Sequence, residues 1–308
     1  MTKLLLICEG TIFFIFGLKK ILESGNSKNY ICLPCRHKAE HMTKTQAIGI
    51  FDSGIGGLTV AKSLEKQLPD ERFIYFGDTA HMPYGDKTAD EILGYSKSIV
   101  DFLISKKVKL IVIACNSASS IAASQLRAEY WKQVEIMGVI RPAIKSIIQK
   151  NIKKIGIIGT LATVQSNIYP TILAEYGEEI DVYQKATPLL APMIEAGLTG
   201  EPKLSGILHD YLSDENFKDK EAILLACTHY PLVMDEVKAF FGHKKEILDN
   251  ATPLALEVRK FLSEKNLLSE QKSGSNEFYV SKFTPNFEKT IQTFYGKSIE
   301  VKEIDLGI

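Results

Sequence analysis

Residues 110–119 read LIVIACNSAS, and residues 222–231 read AILLACTHYP. Each is an apolar run of strand length that ends in Ala-Cys and opens into small polar residues. An apolar run without alternation is a strand buried on both faces, as in a parallel sheet covered by helices. Working outward, AIGIFDSG at 47–54 is a short strand entering a glycine turn, and KIGIIGT at 154–160 echoes it. Between the first strand and the first cysteine lie a helical stretch LTVAKSLEKQL (58–68), a second strand RFIYFGD (72–78) and the helically spaced DEILGYSKSIVDFLISK (90–106). The interval from first strand to cysteine is similar in both halves, as expected of two related α/β units. Ligands of open α/β sheets bind beyond the carboxyl ends of the strands. Two such units face to face would build one cleft with Cys115 on one wall and Cys227 on the other.

The expected fold class is therefore α/β, with two similar domains of mainly parallel sheet and the active site in the cleft between them. After Asn250 comes a helix, LALEVRKFLSEKN (254–266), then the strand-like EFYVSK (277–282) and a final helix-and-strand stretch. This tail is expected to return to the first unit. The expected boundaries are residues 43–142 plus 252–308 for a discontinuous first domain and 143–251 for the second.

Length and composition agree with this organisation. The chain has 308 residues, enough for two domains of ordinary size. Apolar residues make up 45% and charged residues 24%, the proportions of a folded globular chain. Lys plus Arg and Asp plus Glu number 37 each, so no overall basic field exists to hold a nucleic-acid backbone. A small ligand or another protein is the expected partner. Five cysteines, an odd number, do not form a disulfide framework, which points to a reducing compartment and a cytoplasmic location. The stretch LLLICEGTIFFIFGL (4–18) is short for a membrane span and contains Glu9, so no membrane association is expected. Residues 1–42 read as a leader, non-native or disordered, with Met42 as the working start. Cys32, Cys35 and His37 in CLPCRH have metal-ligand chemistry, but a structural zinc site needs four ligands and no second pair stands nearby. No metal is expected.

Each candidate site residue has an ordinary reading beside the functional one. A free cysteine is commonly a buried, inert thiol. Cys115, however, is followed by Asn116 and Ser117 where strand opens into helix, an environment of amides that binds carboxylates and favours thiolate. Cys227 is followed by Thr228 and His229, and an adjacent base activates a thiol. FDSGIGG (51–57) reads as a phosphate-cradling loop, as a turn delivering Asp52 and Ser53 into the cleft, or as a plain tight turn. Its G-x-G-G spacing is not the dinucleotide fingerprint, although Asp78 would suit a ribose. In DTAHMPYGDK (78–87), Pro83, Tyr84 and Gly85 form a stiff turn whose amides suit a carboxylate, or an ordinary loop. Thr160 and Thr163 in GTLATVQS occupy the loop matching FDSG. Glu195 in PMIEAG reads by itself as a solvated helix residue.

Together, FDSGIGGLTV, GDTAHMPYGDK, ACNSAS, GTLATVQS and ACTHYPL, in this order from about Ile48 onward, resemble the glutamate racemases of the aspartate/glutamate racemase superfamily. Asn116-Ser117 departs from the family's asparagine-threonine pair by one methyl and keeps the hydroxyl. The resemblance implies interconversion of L- and D-glutamate without a cofactor, supply of D-glutamate for peptidoglycan, and a homodimer. It implies that Cys115 deprotonates D-glutamate and Cys227 L-glutamate, with Asp52 assisting the first and His229 and Glu195 the second. Asp52, Ser53, Tyr84, Gly85, Asn116, Ser117, Thr160, Thr163, Thr228 and His229 would hold the substrate. The chemistry suits thiols, which titrate near ~8.5 and need only modest tuning to accept and donate protons at neutral pH. The rival readings are aspartate racemase or another superfamily member, a cysteine hydrolase using Cys227 and His229, and a binding protein with structural thiols.

Overall fold

The computed structural model describes residues 5–8, 11–14, 42–283 and 287–307. Residues 1–37 and 38–308 form separate compact units. In the first, strands β1 (Leu5–Cys8) and β2 (Thr11–Phe14) pair antiparallel. The Cys32, Cys35 and His37 reading lies outside the described residues.

The second unit contains two parallel sheets. Strands β3 (Ile48–Asp52), β4 (Phe73–Gly77), β5 (Leu110–Ile113) and β6 (Glu135–Gly138) belong to the first. Strands β7 (Lys154–Gly159), β8 (Asp181–Ala186), β9 (Ala222–Ala226) and β10 (Glu246–Asp249) make the second. The C-terminal strands β11 (Glu277–Val280) and β12 (Lys302–Glu303) return to the first sheet through β4. The orders are β12-β11-β4-β3-β5-β6 and β10-β9-β7-β8. Without its two added strands, the first sheet runs β4-β3-β5-β6, and the second read in the same sense runs β8-β7-β9-β10. The halves share one topology.

Every residue of β3, β4, β5 and β9 is buried, as the continuous apolar runs require. Alternate residues serve opposite faces. Ile48, Ile50, Leu110 and Val112 join a core with Leu58, Leu64, Leu254 and Val258 from helices Leu58–Gln67 and Ala251–Glu264. Phe51, Ile111 and Ile113 join Ile99 and Leu103 of helix Ala89–Ser105 on the other face. The outer strands β8 and β10 carry mixed, half-buried residues, so their sequences lack the signal of the central strands.

In each sheet the chain reverses direction of strand addition between its first and third strands, β3 and β5 or β7 and β9. Ligands bind at such switch points because the connections diverge there and leave a crevice. Cys115 follows β5 and Cys227 follows β9, so each cysteine stands at the switch point of its half.

Candidate active site

Asp52 ends β3 and is completely buried. The Gly54 N–H donates to its Oδ2 at 3.2 Å, and the Thr228 hydroxyl, from the other half, approaches its Oδ1 at 3.4 Å. Burial pushes the Asp52 carboxyl up, opposed by the charge of His229 and the N–H groups of Gly57 and Gly54. The glycines of this turn have a steric purpose. A Cβ on Gly56 would lie 2.5 Å from His229 Cε1 and 2.6 Å from Thr228 Oγ1, and one on Gly57 would lie 2.4 Å from Asp52 Cβ. The turn thus lets the first half approach the second, with Thr59 Oγ1 donating to Thr228 O at 3.0 Å. Tyr75 pins it from below, its hydroxyl donating to Gly54 O at 2.8 Å.

Cys115 caps helix Asn116–Ile121, its sulfur accepting the Ala118 N–H at 3.4 Å. Its thiol reaches Ser53 Oγ at 3.5 Å. Burial, then the charge of Asp52, pushes this thiol up to about 12, against the hydrogen bonds from Ala118 and Ser53. Cys115 therefore holds its proton at neutral pH.

Cys227 has the opposite surroundings. Its sulfur lies 3.7 Å from His229 Nδ1, and His229 Nε2 lies 3.1 Å from Glu195 Oε2. Burial alone would lower the pKa of the imidazole. Hydrogen bonds to Cys227 and Glu195, and their negative charges, outweigh burial and hold His229 well above the usual histidine range. Phe294, 2% exposed, meets this imidazole edge to face with ring centres 5.2 Å apart. Glu195 by itself reads as solvated and the resemblance sets it beside the second cysteine; the structure turns it inward from the end of helix Leu190–Glu195 onto His229.

The remaining candidates form two clusters. Ser117 Oγ and Thr160 Oγ1 are 2.8 Å apart across the halves, and Thr160 bonds Thr163 Oγ1 at 3.0 Å behind it. Gly85 packs against Thr160, a Cβ there falling 3.0 Å from Thr160 Cβ. Tyr84 is buried nearby, but its phenol is committed to Asp78 Oδ2 at 2.6 Å, which leaves the turn's backbone as its means of meeting a ligand. Asp78 is no ribose ligand: it also accepts His81 Nδ1 at 2.8 Å and Ser281 Oγ at 2.8 Å, anchoring that turn. Asn116 is buried, and its amide donates to Tyr169 of the second half at 3.1 Å.

Tyr75, Thr59, Asp78, Tyr169 and Asn250 thus support the site without a reading in the sequence that put them there. Asn250, just before a helix, carries the signature of an N-cap. Its side chain makes no cap and bonds Tyr169 and Leu225 O instead. Among the described residues, no group of three His, Cys, Asp or Glu side chains is arranged to hold a metal ion. No described helix is long and apolar enough to cross a membrane.

Of the two sulfurs, one beside an imidazolium and one held as a thiol, the first is suited to accept a proton and the second to deliver one. The Asp/Glu/Hydantoin racemase family matches residues 48–255. The glutamate racemase of Thermoanaerobacter sp. is 40% identical over 261 residues, 84% of this chain and 97% of that protein. The structure of the Francisella tularensis glutamate racemase, in complex with D-glutamate, is similar with a TM-score of 0.80 and 32% identity, covering 86% of this chain and 99% of that one. The Aquifex pyrophilus glutamate racemase structure matches with a TM-score of 0.70 and 39% identity, covering 84% and 98%.

Proposed function

The chain belongs to the Asp/Glu/Hydantoin racemase family, among its glutamate racemases, and from that premise we propose that it interconverts L- and D-glutamate by a two-thiol mechanism. The observation that carries the mechanism is the unequal setting of the two cysteines. Cys227 sits beside an imidazolium backed by Glu195, and Cys115 keeps its proton.

Starting from L-glutamate, Cys227 Sγ takes the Cα proton, and the electron pair left behind spreads into the α-carboxylate. The Cys115 thiol then gives its proton to the opposite face of Cα. Inversion follows, and the substrate never turns over. The protonation states of the sulfurs are now exchanged, so the same site runs from D-glutamate with Cys115 as base. A thiol with a raised pKa leaves a strongly basic thiolate, which suits the weak acidity of an amino-acid Cα–H. Asp52 contributes by setting that basicity through its charge, and His229 with Glu195 by stabilising the negative sulfur at Cys227. Charge developing on the substrate is met by preorganised amides and hydroxyls: Ser53, Ser117, Thr160 and Thr228, with Thr163 behind Thr160 and the backbone of Tyr84 and Gly85. Both sulfurs are nearly inaccessible, which keeps competing water out.

The domain boundaries 43–142 with 252–308 and 143–251 belong to the same reading, supported by the return of β11 and β12 to the first sheet. Action in the cytoplasm, supply of D-glutamate to peptidoglycan and assembly as a homodimer complete it on family likeness. Sedimentation of the purified protein tests the last.

The direct test is incubation with either enantiomer in deuterated water. The expected result is deuterium at Cα together with inversion, lost in both Cys115→Ala and Cys227→Ala. Full racemisation by either variant would refute the two-thiol mechanism.

A further inference from the structure

A single hydrogen-bonded chain of buried side chains crosses between the halves. Asn250 Nδ2 donates to Leu225 O at 3.2 Å, Tyr169 OH donates to Asn250 Oδ1 at 3.3 Å, and Asn116 Nδ2 donates to Tyr169 OH at 3.1 Å. The three residues are 5%, 0% and 3% exposed, so water does not compete for these groups. Asn116 adjoins Cys115, and Leu225 lies two residues before Cys227, so the chain joins the two walls of the site.

Its direction is set at one end. A backbone carbonyl only accepts, so Asn250 must turn its NH2 toward Leu225 O and its Oδ1 toward Tyr169. The phenol proton is then committed to Asn250, and the phenol oxygen has only lone pairs to offer. Asn116 must meet it with NH2. Reversing that amide would set two oxygens against each other. The Asn116 Oδ1 is therefore held on the other side, where it is buried and has no hydrogen-bond partner. Leaving a buried acceptor unpaired is unfavourable, and a donor on a bound ligand would remove that penalty. Burial raises the Tyr169 phenol above its usual range, so the chain keeps its direction across working pH.

We propose that Tyr169 and Asn250 are positioning residues that hold the Asn116 carboxamide in one orientation, its oxygen presented to the ammonium group of the substrate. This rests on the reading of the site as one for glutamate. An ammonium has donors only, whereas the carboxylates of the substrate have acceptors only. An amide free to rotate would offer its NH2 and its oxygen interchangeably and lose this discrimination.

The test compares glutamate with glutarate, the same dicarboxylate without the amine, in wild type and Tyr169→Phe. The expected result is a loss of about tenfold in kcat/KM for glutamate, the size of one net hydrogen bond, carried mainly by KM. The inhibition constant of glutarate should stay within about twofold, because the lost contact is one that glutarate never makes. In an Asn116→Ala background, Tyr169→Phe should cost nothing further. Asn250→Asp, which keeps the phenol but sets a carboxylate against Leu225 O, should reproduce the glutamate-selective loss, and it carries the test if Tyr169→Phe fails to fold. Equal weakening of glutamate and glutarate, no effect on either, or full additivity with Asn116→Ala would overturn the proposal. Absence of racemisation by the wild-type protein would instead overturn the reading of the site.

Discussion

His229 shows how much a single side chain takes from its partners. Its proton is held by Cys227 and Glu195 against burial, so the Glu195 carboxylate sets the pH range in which the site is charged correctly. In Glu195→Gln one negative charge is removed and the histidine pKa falls. The imidazolium is then lost at lower pH, and the alkaline limb of the kcat/KM profile should move toward neutrality. Polarimetric rates over the pH range check this, and an unmoved limb would mean that Glu195 does not act through His229. Ser53 is a second residue of this kind. Its hydroxyl can turn to donate to the Cys115 sulfur when the thiolate forms, so Ser53→Ala should push that thiol higher still and slow its alkylation by iodoacetamide under otherwise equal conditions.

At the scale of an element, the turn between β3 and helix Leu58–Gln67 does more than reverse the chain. The absence of a side chain at Gly56 permits contact with His229 and Thr228 of the other half. Gly56→Ala would force the halves apart by a fraction of a bond length or more. Displacements of ~1 Å in an active site cost about 10²-fold in rate. The expected outcome is a fall in kcat/KM of about that size with a far smaller change in unfolding midpoint. A normal rate would show that the close approach has no bearing on catalysis. Of the glycines that suggested a phosphate loop, Gly56 is thus explained by packing between halves and Gly57 by its close approach to Asp52 and Tyr75. Helix Ala89–Ser105 was the more transparent element: Thr88 and Glu91 form a reciprocal capping box at its start, a signal carried within four residues of sequence.

Across the whole molecule, the two ends of the strands have different purposes. The carboxyl ends carry the site, and the amino ends carry a staple. Lys109, immediately before β5, is completely buried and contacts Glu71 at 2.6 Å, Lys44 O at 2.7 Å and Leu267 O at 2.8 Å. Glu71 also accepts the Ser269 N–H at 2.9 Å. The pair thereby ties residues before β3, β4 and β5 to the segment that follows helix Ala251–Glu264. Lys109→Ala leaves a buried carboxylate without its cation and should cost about 3–5 kcal/mol in urea unfolding, whereas Lys109→Met combined with Glu71→Leu should recover most of it. Equal destabilisation by both would argue that the ion pair is stabilising in its own right.

Some of this protein was legible without coordinates, because it depends on neighbours in sequence. Apolar runs of strand length, helically spaced stretches between them and Ala-Cys at two strand ends are local signals, and they sufficed for the α/β class, the paired halves and the two cysteines. The outer strands β8 and β10 were not legible, since a half-exposed strand needs no apolar run. Glu195 had its place only from the resemblance and not from its own neighbours, and the line from Asn116 through Tyr169 and Asn250 to Leu225 was not legible at all. A carboxylate on a short helix looks solvated until packing removes the water around it. An amide acquires a direction only when a distant carbonyl dictates which of its two ends can face it. Burial and hydrogen-bond polarity are properties of space, and the tertiary structure alone decided them.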